Sequence, residues 1–169
     1  MKKLLIIGII LSSLSGCAHQ VPTINLHNQF NPAEAKKLLE EGKNSVKGEA
    51  FLRQNGGGII TWAGTVVSLI PKTHYTEERL QHIYGVLDYN DVKSSKNSIN
   101  FNPNPFEYTQ LQKETKCNSR GGLECNNVAD GDFYITTYVQ WQVVSSQGAG
   151  LIQKVHLSNE SKKKIILMN

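Results

Sequence analysis

Apolar and polar residues alternate along the C-terminal third of the chain. From Phe133 to Val143 every second residue is apolar or a threonine, and the residues between them are mostly tyrosine and glutamine. A period of two is that of a β-strand with two different faces. The same period returns over residues 151–157, after turn-forming residues at 145–150, and an apolar run at 165–168 follows a second turn at 159–161. The pattern therefore predicts three consecutive antiparallel strands in a meander.

A second group of strands is predicted in the N-terminal half. Residues 46–53 alternate small or apolar residues with larger ones, and Asn55 with the three glycines after it favours a turn. Residues 59–63 and 65–70 are predicted to follow as strands. The last of these is almost entirely apolar, which is typical of a strand that is buried on both faces.

Two short helices are predicted beside these strands. Asn31 is a suitable N-cap, Pro32 fits the first turn, and Glu34 can complete a capping box. This helix is expected to end at Gly42. A second helix is predicted over residues 76–84, with the threonine at its start as the cap.

The central part of the chain has no clear period. It is rich in asparagine, serine and lysine, and the Asn-Pro-Asn-Pro sequence at 102–105 interrupts any regular element. Short strands, frequent turns and two brief helices predict a mainly β protein with an antiparallel β-sandwich. Residues 72–126 are predicted to form a long irregular insertion in it.

Two parts of the chain resemble transthyretin-like domains of the carboxypeptidase regulatory type. The resemblance is carried by Gly-Glu-Ala-Phe at 48–51, by the strand that ends in Val-Ser-Leu-Ile-Pro at 67–71, and by Asn-Val-Ala-Asp-Gly-Asp-Phe-Tyr at 127–134. It covers residues 46–71 and 127–168 and implies a transthyretin-like β-sandwich. It implies little about function, because domains of this fold serve many functions.

The N-terminus has the order of a secretory signal. Two lysines precede an apolar run at 4–11, which is too short to span a bilayer, since a span needs about 20 residues. The sequence Leu14-Ser15-Gly16-Cys17 resembles the bacterial lipobox, which implies cleavage of residues 1–16 and lipidation of Cys17. An ordinary cleaved signal with a chance cysteine is the alternative.

The same resemblance implies a location. No aspartate follows Cys17, which in enteric-type bacteria indicates the outer membrane, here with the lipid-anchored protein facing the periplasm. Residues 17–30 are polar and aperiodic and are predicted to be a flexible tether. Residues 31–169 are predicted to form a single domain.

Three cysteines are present, and a lipidated Cys17 leaves Cys117 and Cys125. An even number of cysteines in an oxidising compartment predicts a disulfide between them. Such a bond would stabilise the fold by about 2–3 kcal/mol in the chain-entropy model. A zinc site is the alternative, but two cysteines without nearby histidines are a poor ligand set.

Charge and motifs exclude several function classes. Without residues 1–16 the chain has 16 basic and 14 acidic residues, so its charge of +2 does not indicate nucleic-acid binding. There is no phosphate-binding glycine motif and no nucleophile elbow. Asp130 and Asp132 flank Gly131 and could hold calcium, but a turn explains them better. We therefore expect no cofactor, no metal and no enzymatic activity.

Two features are candidates for contact with a partner. Tyr134 and Tyr138, with Gln140 and Gln142, form an aromatic and amide face, and tyrosine is enriched in interface cores. The alternative is an ordinary sheet face covered by a helix, such as residues 33–41. In the loop between the two cysteines, Arg120 and Leu123 are the residues that would insert into a target. These four residues are the predicted partner-binding residues.

These observations predict a membrane-anchored envelope lipoprotein with a protein partner. The first hypothesis is a binding or assembly module of a larger cell-envelope complex. The alternative is an inhibitory or immunity lipoprotein that blocks a periplasmic toxin, a hydrolase or a phage receptor.

Overall fold

The protein is mainly β, with short helices on one side. The computed structural model describes residues 21–53, 57–89, 91–95, 98–142 and 146–168. In chain order its elements are β1 Thr23–Asn25, α1 Pro32–Leu38, β2 Glu41–Arg53, β3 Ile59–Thr61, β4 Val66–Pro71, α2 His74–Tyr84, β5 Val92–Ser95, β6 Asn100–Asn102, α3 Phe106–Gln110, β7 Lys113–Lys116, β8 Gly122–Val128, β9 Gly131–Gln142, β10 Ser146–Leu157 and β11 Lys162–Met168.

Two sheets form a β-sandwich, as the sequence predicts. Five strands pair in the order β5-β10-β9-β4-β7, and every neighbouring pair is antiparallel. The second sheet is built on β2, which pairs with β11 along one edge and with β8 and β3 along the other. A separate pair of short strands, β1 and β6, lies outside this sandwich.

The five-stranded sheet is buried on both faces because its strands alternate between two cores. On β9, Phe133 and Ile135 contribute to the core between the sheets, whereas Tyr134 contributes to a core on the other face. That second core is covered by α2 through Tyr75 and Leu80, together with β1, β6 and α3. The protein therefore has three layers. The expectation that residues 65–70 are buried on both faces is confirmed by Val67, Leu69 and Ile70.

The predicted meander is correct for two strands and wrong for the third. β9 and β10 form one long hairpin, from the pair Gln142 and Ser146 to the pair Gly131 and Leu157. β11 instead crosses to the second sheet and pairs with β2 in parallel, from Lys162 opposite Ser45 onward. The period of two identifies the buried face of a strand but carries no information about its partner.

Residues 72–126 are not an irregular insertion. They contain two helices and the strands β5, β6, β7 and β8, and they complete both sheets. These strands are short and polar, so their own sequence gives a weak signal. They are stabilised by backbone hydrogen bonds to strands that lie far away in the sequence. The described residues therefore contain three helices where two were predicted.

The helix caps agree with the sequence for α1 and differ for α2. Asn31 Oδ1 accepts hydrogen bonds from the backbone N–H groups of Ala33 and Glu34, at 3.0 and 3.4 Å. The helix ends before Gly42, because β2 already begins at residue 41. The cap of α2 is Thr73, three residues before the predicted one.

Part of the predicted tether belongs to the folded domain. β1 pairs in parallel with β6, and Leu26 is buried. The Glu78 carboxylate of α2 accepts the backbone N–H groups of His27 and Asn28, both at 2.8 Å. Phe30 packs edge-on against the rings of Tyr75 and Tyr108. The signal segment 1–16 and Cys17 lie outside the described residues.

Candidate functional site

The two tyrosines predicted to face a partner lie in different environments. Tyr134 is 1% exposed beneath α2, and its hydroxyl donates a hydrogen bond to Glu77 Oε1 at 3.2 Å. It is therefore not available to a partner, and this prediction is wrong. Tyr138 is 55% exposed on the same face of β9. The covering helix is α2 and not residues 33–41, and the side chains of Gln140 and Gln142 lie outside the description.

The loop between the two cysteines exposes only part of its predicted contact surface. Asn118 Oδ1 accepts the backbone N–H groups of Arg120 and Gly122, both at 2.9 Å, and this closes a tight turn. Arg120 is exposed at the tip. Leu123 is 4% exposed and belongs to the core between the sheets, so the prediction that it contacts a partner is wrong.

Cys117 and Cys125 are both buried free thiols, and the expected disulfide is not formed in this structure. They belong to the same core cluster between the two sheets. Cys117 follows β7 in the five-stranded sheet, whereas Cys125 lies on β8 in the other sheet. Burial raises the pKa of both thiols. Each cysteine is thus a small apolar core residue with little thiolate at neutral pH.

An open groove lies beside Tyr138, at the C-terminal end of α2. Its cavity has a volume of about 330 Å³, which is at the lower end of the range of ligand sites. Residues from α2, from the segment that joins β5 to β6, and from the β9–β10 hairpin line it. We call this cavity the tyrosine groove, and its main lining residues are Arg79, Tyr84, Ile99, Phe101, Tyr138 and Gly150.

The floor of the tyrosine groove is a glycine that two tyrosines approach closely. Gly150 pairs with Tyr138 across the β9–β10 hairpin. A Cβ added at Gly150 would lie 2.7 Å from the Tyr84 hydroxyl oxygen and 3.6 Å from the Tyr138 ring. A side chain at residue 150 would therefore force the Tyr84 ring to move, whereas the Tyr138 ring could stay in place. Burial raises the pKa of Tyr84, and a hydrogen bond with Thr136 partly offsets this, so its phenol is neutral at neutral pH.

One wall of the groove carries a cation in a fixed position. The Arg79 guanidinium carbon lies 4.3 Å from the ring centre of Phe101 and 4.7 Å from that of Tyr108. Its Nη1 donates hydrogen bonds to the Tyr75 hydroxyl at 3.1 Å and to Asn104 Oδ1 at 2.7 Å. None of the ion pairs among the described residues includes Arg79. The groove therefore contains a stacked guanidinium that has no ion-pair partner within the described part of the chain.

A second polar cluster joins α2 to the five-stranded sheet. Glu77 lies 3.5 Å from Lys72 Nζ and 3.6 Å from Lys154 Nζ. Asp132 accepts hydrogen bonds from the Tyr89 hydroxyl at 2.9 Å and pairs with His156 Nδ1 at 2.7 Å. Burial alone would raise the pKa of Asp132, but these partners hold it below its usual value. Both carboxylates already have partners within the protein, which favours a structural role.

The aspartates considered for calcium also have protein partners. Asp130 Oδ1 accepts a hydrogen bond from Asn44 Nδ2 at 2.8 Å, and Asp132 belongs to the cluster just described. Among the residues that the structure describes, no group of three or more histidine, cysteine or acidic residues is arranged to hold a metal ion. The helices of this part of the chain all lack the length and hydrophobicity of a membrane span.

Of the residues predicted from the sequence, only Tyr138 lies in the tyrosine groove. Arg79 and Tyr84 lie on a helix that was predicted, but their contacts with sheet strands were not. Ile99 and Phe101 lie in the stretch that was expected to be irregular. No local signal in the sequence connects these three segments, because they meet only through the pairing of distant strands.

Comparison with known proteins gives a fold and no family. No family profile and no curated protein sequence matches this chain. A crystal structure from Pseudomonas aeruginosa, of a protein that carries the provisional description of a carbohydrate binding protein, is similar with a TM-score of 0.66. The sequence identity is 19%, over 84% of this chain and 99% of that chain. A likeness at this identity shows a common fold only.

Proposed function

We propose that this protein is a lipid-anchored binding module of the bacterial envelope and that the tyrosine groove binds a carbohydrate. The observation that carries the proposal is that the exposed Tyr138 ring and the fixed guanidinium of Arg79 line the same cavity. We infer a binding role and not a catalytic one.

The chemistry of the groove suits a sugar. A sugar ring has apolar C–H faces and a rim of hydroxyl groups. The exposed ring of Tyr138 offers a flat apolar surface on which such a face can pack. Arg79 supplies N–H donors, and the neutral phenol of Tyr84 supplies an O–H group at the groove floor. These polar groups lie beside the apolar side chains of Ile83, Ile99 and Phe101, so the groove offers both kinds of contact that a sugar makes.

The provisional description of the structural relative supports this ligand class, but the groove carries the proposal. The anchor is proposed from the lipobox-like sequence before Cys17, with the outer membrane as the location and the periplasm as the compartment. Incorporation into a larger envelope complex is the second candidate function, favoured by Tyr138 and Arg120, which are both exposed. The inhibitory role is less well supported, because Leu123, which was predicted to insert into the target, is buried.

A glycan screen tests the proposal. The full chain, made soluble by Cys17→Ser, is applied to an array of bacterial surface glycans, next to Tyr138→Ala. The control is Phe106→Ala, because Phe106 is 73% exposed and does not line the groove. We expect selective binding that Tyr138→Ala removes and Phe106→Ala retains. No binding to any glycan, or equal loss in both variants, would count against a carbohydrate site here.

A further inference from the structure

We infer that an anchored chain presents the tyrosine groove to the membrane surface that holds its lipid, so that the ligand is a glycan attached to that membrane. This deepens the proposed function and rests on lipidation of Cys17. It follows from where the chain leaves the folded domain.

The chain leaves the domain beside the groove. Thr23 of β1 pairs with Asn100 of β6, and the Asn100 N–H donates to the carbonyl of Pro22 at 2.9 Å. Both residues next to Asn100, Ile99 and Phe101, line the tyrosine groove. Pro22 and Thr23, which follow the anchor segment in the chain, are therefore neighbours of the groove wall.

This exit point is fixed to the domain. The N–H of Leu26 donates to the carbonyl of Asn102 at 2.7 Å, and Leu26 is 7% exposed. The Glu78 carboxylate accepts the backbone N–H groups of His27 and Asn28 and also the Asn28 side-chain amide, at 2.7 Å. Residues 22–28 are therefore held at this face of the domain.

The remaining link is short compared with the domain. Four residue steps separate Cys17 from Val21, which is about 14 Å when fully extended. A tether that reached residue 30 would have extended about 45 Å. A domain of this length is roughly 40 Å across. The short link therefore keeps the exit point, and the groove beside it, near the lipid surface, while the outer face of β11 must lie on the far side.

The geometry restricts the ligand. A glycan fixed to the same membrane reaches a groove that opens near that surface, whereas a polymer far from the membrane does not. The positive charge of Arg79, which pairs with no carboxylate among the described residues, favours a headgroup that carries a carboxylate or a phosphate. We therefore expect an anionic glycan headgroup on the anchoring membrane.

The orientation can be measured without any glycan. Ser98→Cys places a thiol at the groove rim, and the matched control Lys164→Cys places one on the outer face of β11; both positions are exposed. Because Cys117 and Cys125 are buried, a fluorophore reacts mainly with the introduced thiol. The lipidated chain is reconstituted in phosphatidylethanolamine and phosphatidylglycerol vesicles that contain spin-labelled lipids, which quench nearby fluorophores.

We expect at least about threefold stronger quenching at residue 98 than at residue 164. Insertion of about 20 glycine and serine residues after Ala18, with a root-mean-square length of roughly 25 Å, should remove the difference. Equal quenching with the native link, or stronger quenching at residue 164, overturns the inference. Failure of the chain to carry lipid overturns it as well. A negative glycan screen with the expected quenching pattern would instead reject only the carbohydrate ligand.

Discussion

The Tyr84 hydroxyl lies against the backbone of Gly150, so closely that a Cβ at residue 150 would come within 2.7 Å of its oxygen. The α2 helix supplies one residue and the β9–β10 hairpin supplies the other. The shape of the tyrosine groove therefore depends on the absence of a single methyl group.

Gly150→Ala is expected to weaken glycan binding by about tenfold or more, which corresponds to about 1.4 kcal/mol. The added methyl group displaces the Tyr84 ring into the groove and lowers the free energy of unfolding by about 1–3 kcal/mol. Chemical denaturation and a glycan titration measure both effects.

The double variant Gly150→Ala with Tyr84→Phe provides the control. Removal of the hydroxyl makes space for the methyl group, so the two substitutions should be less destabilising together than the sum of the two alone. Strict additivity of the two free-energy changes would show that the close approach is not the cause.

The interaction of Glu78 with the N-terminal segment should depend on pH. Burial alone would raise the pKa of Glu78, but hydrogen bonds from His27 and Asn28 lower it from 4.5 to about 2. A lowered pKa in the folded state means that the carboxylate stabilises the fold above pH 4.5 and loses this effect as the pH falls from 4.5 towards 2. We expect the amide of Leu26 to lose protection from hydrogen exchange over this range.

Glu78→Gln should have a similar effect at neutral pH. Glutamine replaces one of two acceptor oxygens by a donor group, which then faces donors on His27 or Asn28. Since hydrogen bonds to charged groups contribute about 1.5–3 kcal/mol, a loss of that order is expected. Glu107→Gln, at an exposed position of α3, should leave the unfolding midpoint unchanged. Equal effects at both positions would contradict the role assigned to Glu78.

Truncation of Leu123 should destabilise the protein strongly, whereas truncation of Arg120 should have almost no effect on stability. Leu123→Ala removes a buried side chain from the core between the sheets, which is expected to cost about 2–5 kcal/mol of stability. Arg120→Ala, at an exposed turn, should change stability by less than about 0.5 kcal/mol. Thermal unfolding of the two variants decides this. If Leu123→Ala left the stability unchanged, the core position of Leu123 would be contradicted, and the predicted surface position would be favoured.

The buried thiols make a prediction about reactivity. Burial raises the pKa of Cys117 and Cys125, so alkylation at neutral pH should be slow in folded, reduced protein and fast in denaturant. Rapid alkylation of the folded protein would contradict their placement in the core. Mass spectrometry of the protein isolated from cells, before and after reduction, shows in addition whether the predicted disulfide forms in the cell.

Sequence reasoning identified the faces of the long strands, but it did not identify which strands are neighbours. The alternation in β9 correctly separates Phe133 and Ile135 from Tyr134, because burial on two different faces imposes a period of two. The parallel pairing of β11 with β2 has no comparable signal. Such pairing depends on contacts between residues more than 100 positions apart.

The tyrosine groove was not predicted, because the sequence does not show which distant segments become neighbours. Tyr138 was identified because an aromatic residue on a polar strand face is conspicuous. Arg79 is an ordinary arginine on a helix until Phe101 and Tyr108 enclose it, and Gly150 is an ordinary turn residue until Tyr84 covers it. Their role depends on the packing of α2 on the sheet, which no local pattern encodes.

Isothermal titration of the best-binding glycan into the full chain tests the central claim most directly. The wild-type groove is compared with Arg79→Gln, which removes the charge, and with Phe106→Ala as the control outside the groove. The predicted result is a single site, with affinity at least about tenfold lower in Arg79→Gln and unchanged in Phe106→Ala. Unchanged affinity in Arg79→Gln for an anionic glycan, with the protein still folded, would contradict the tyrosine groove as the binding site.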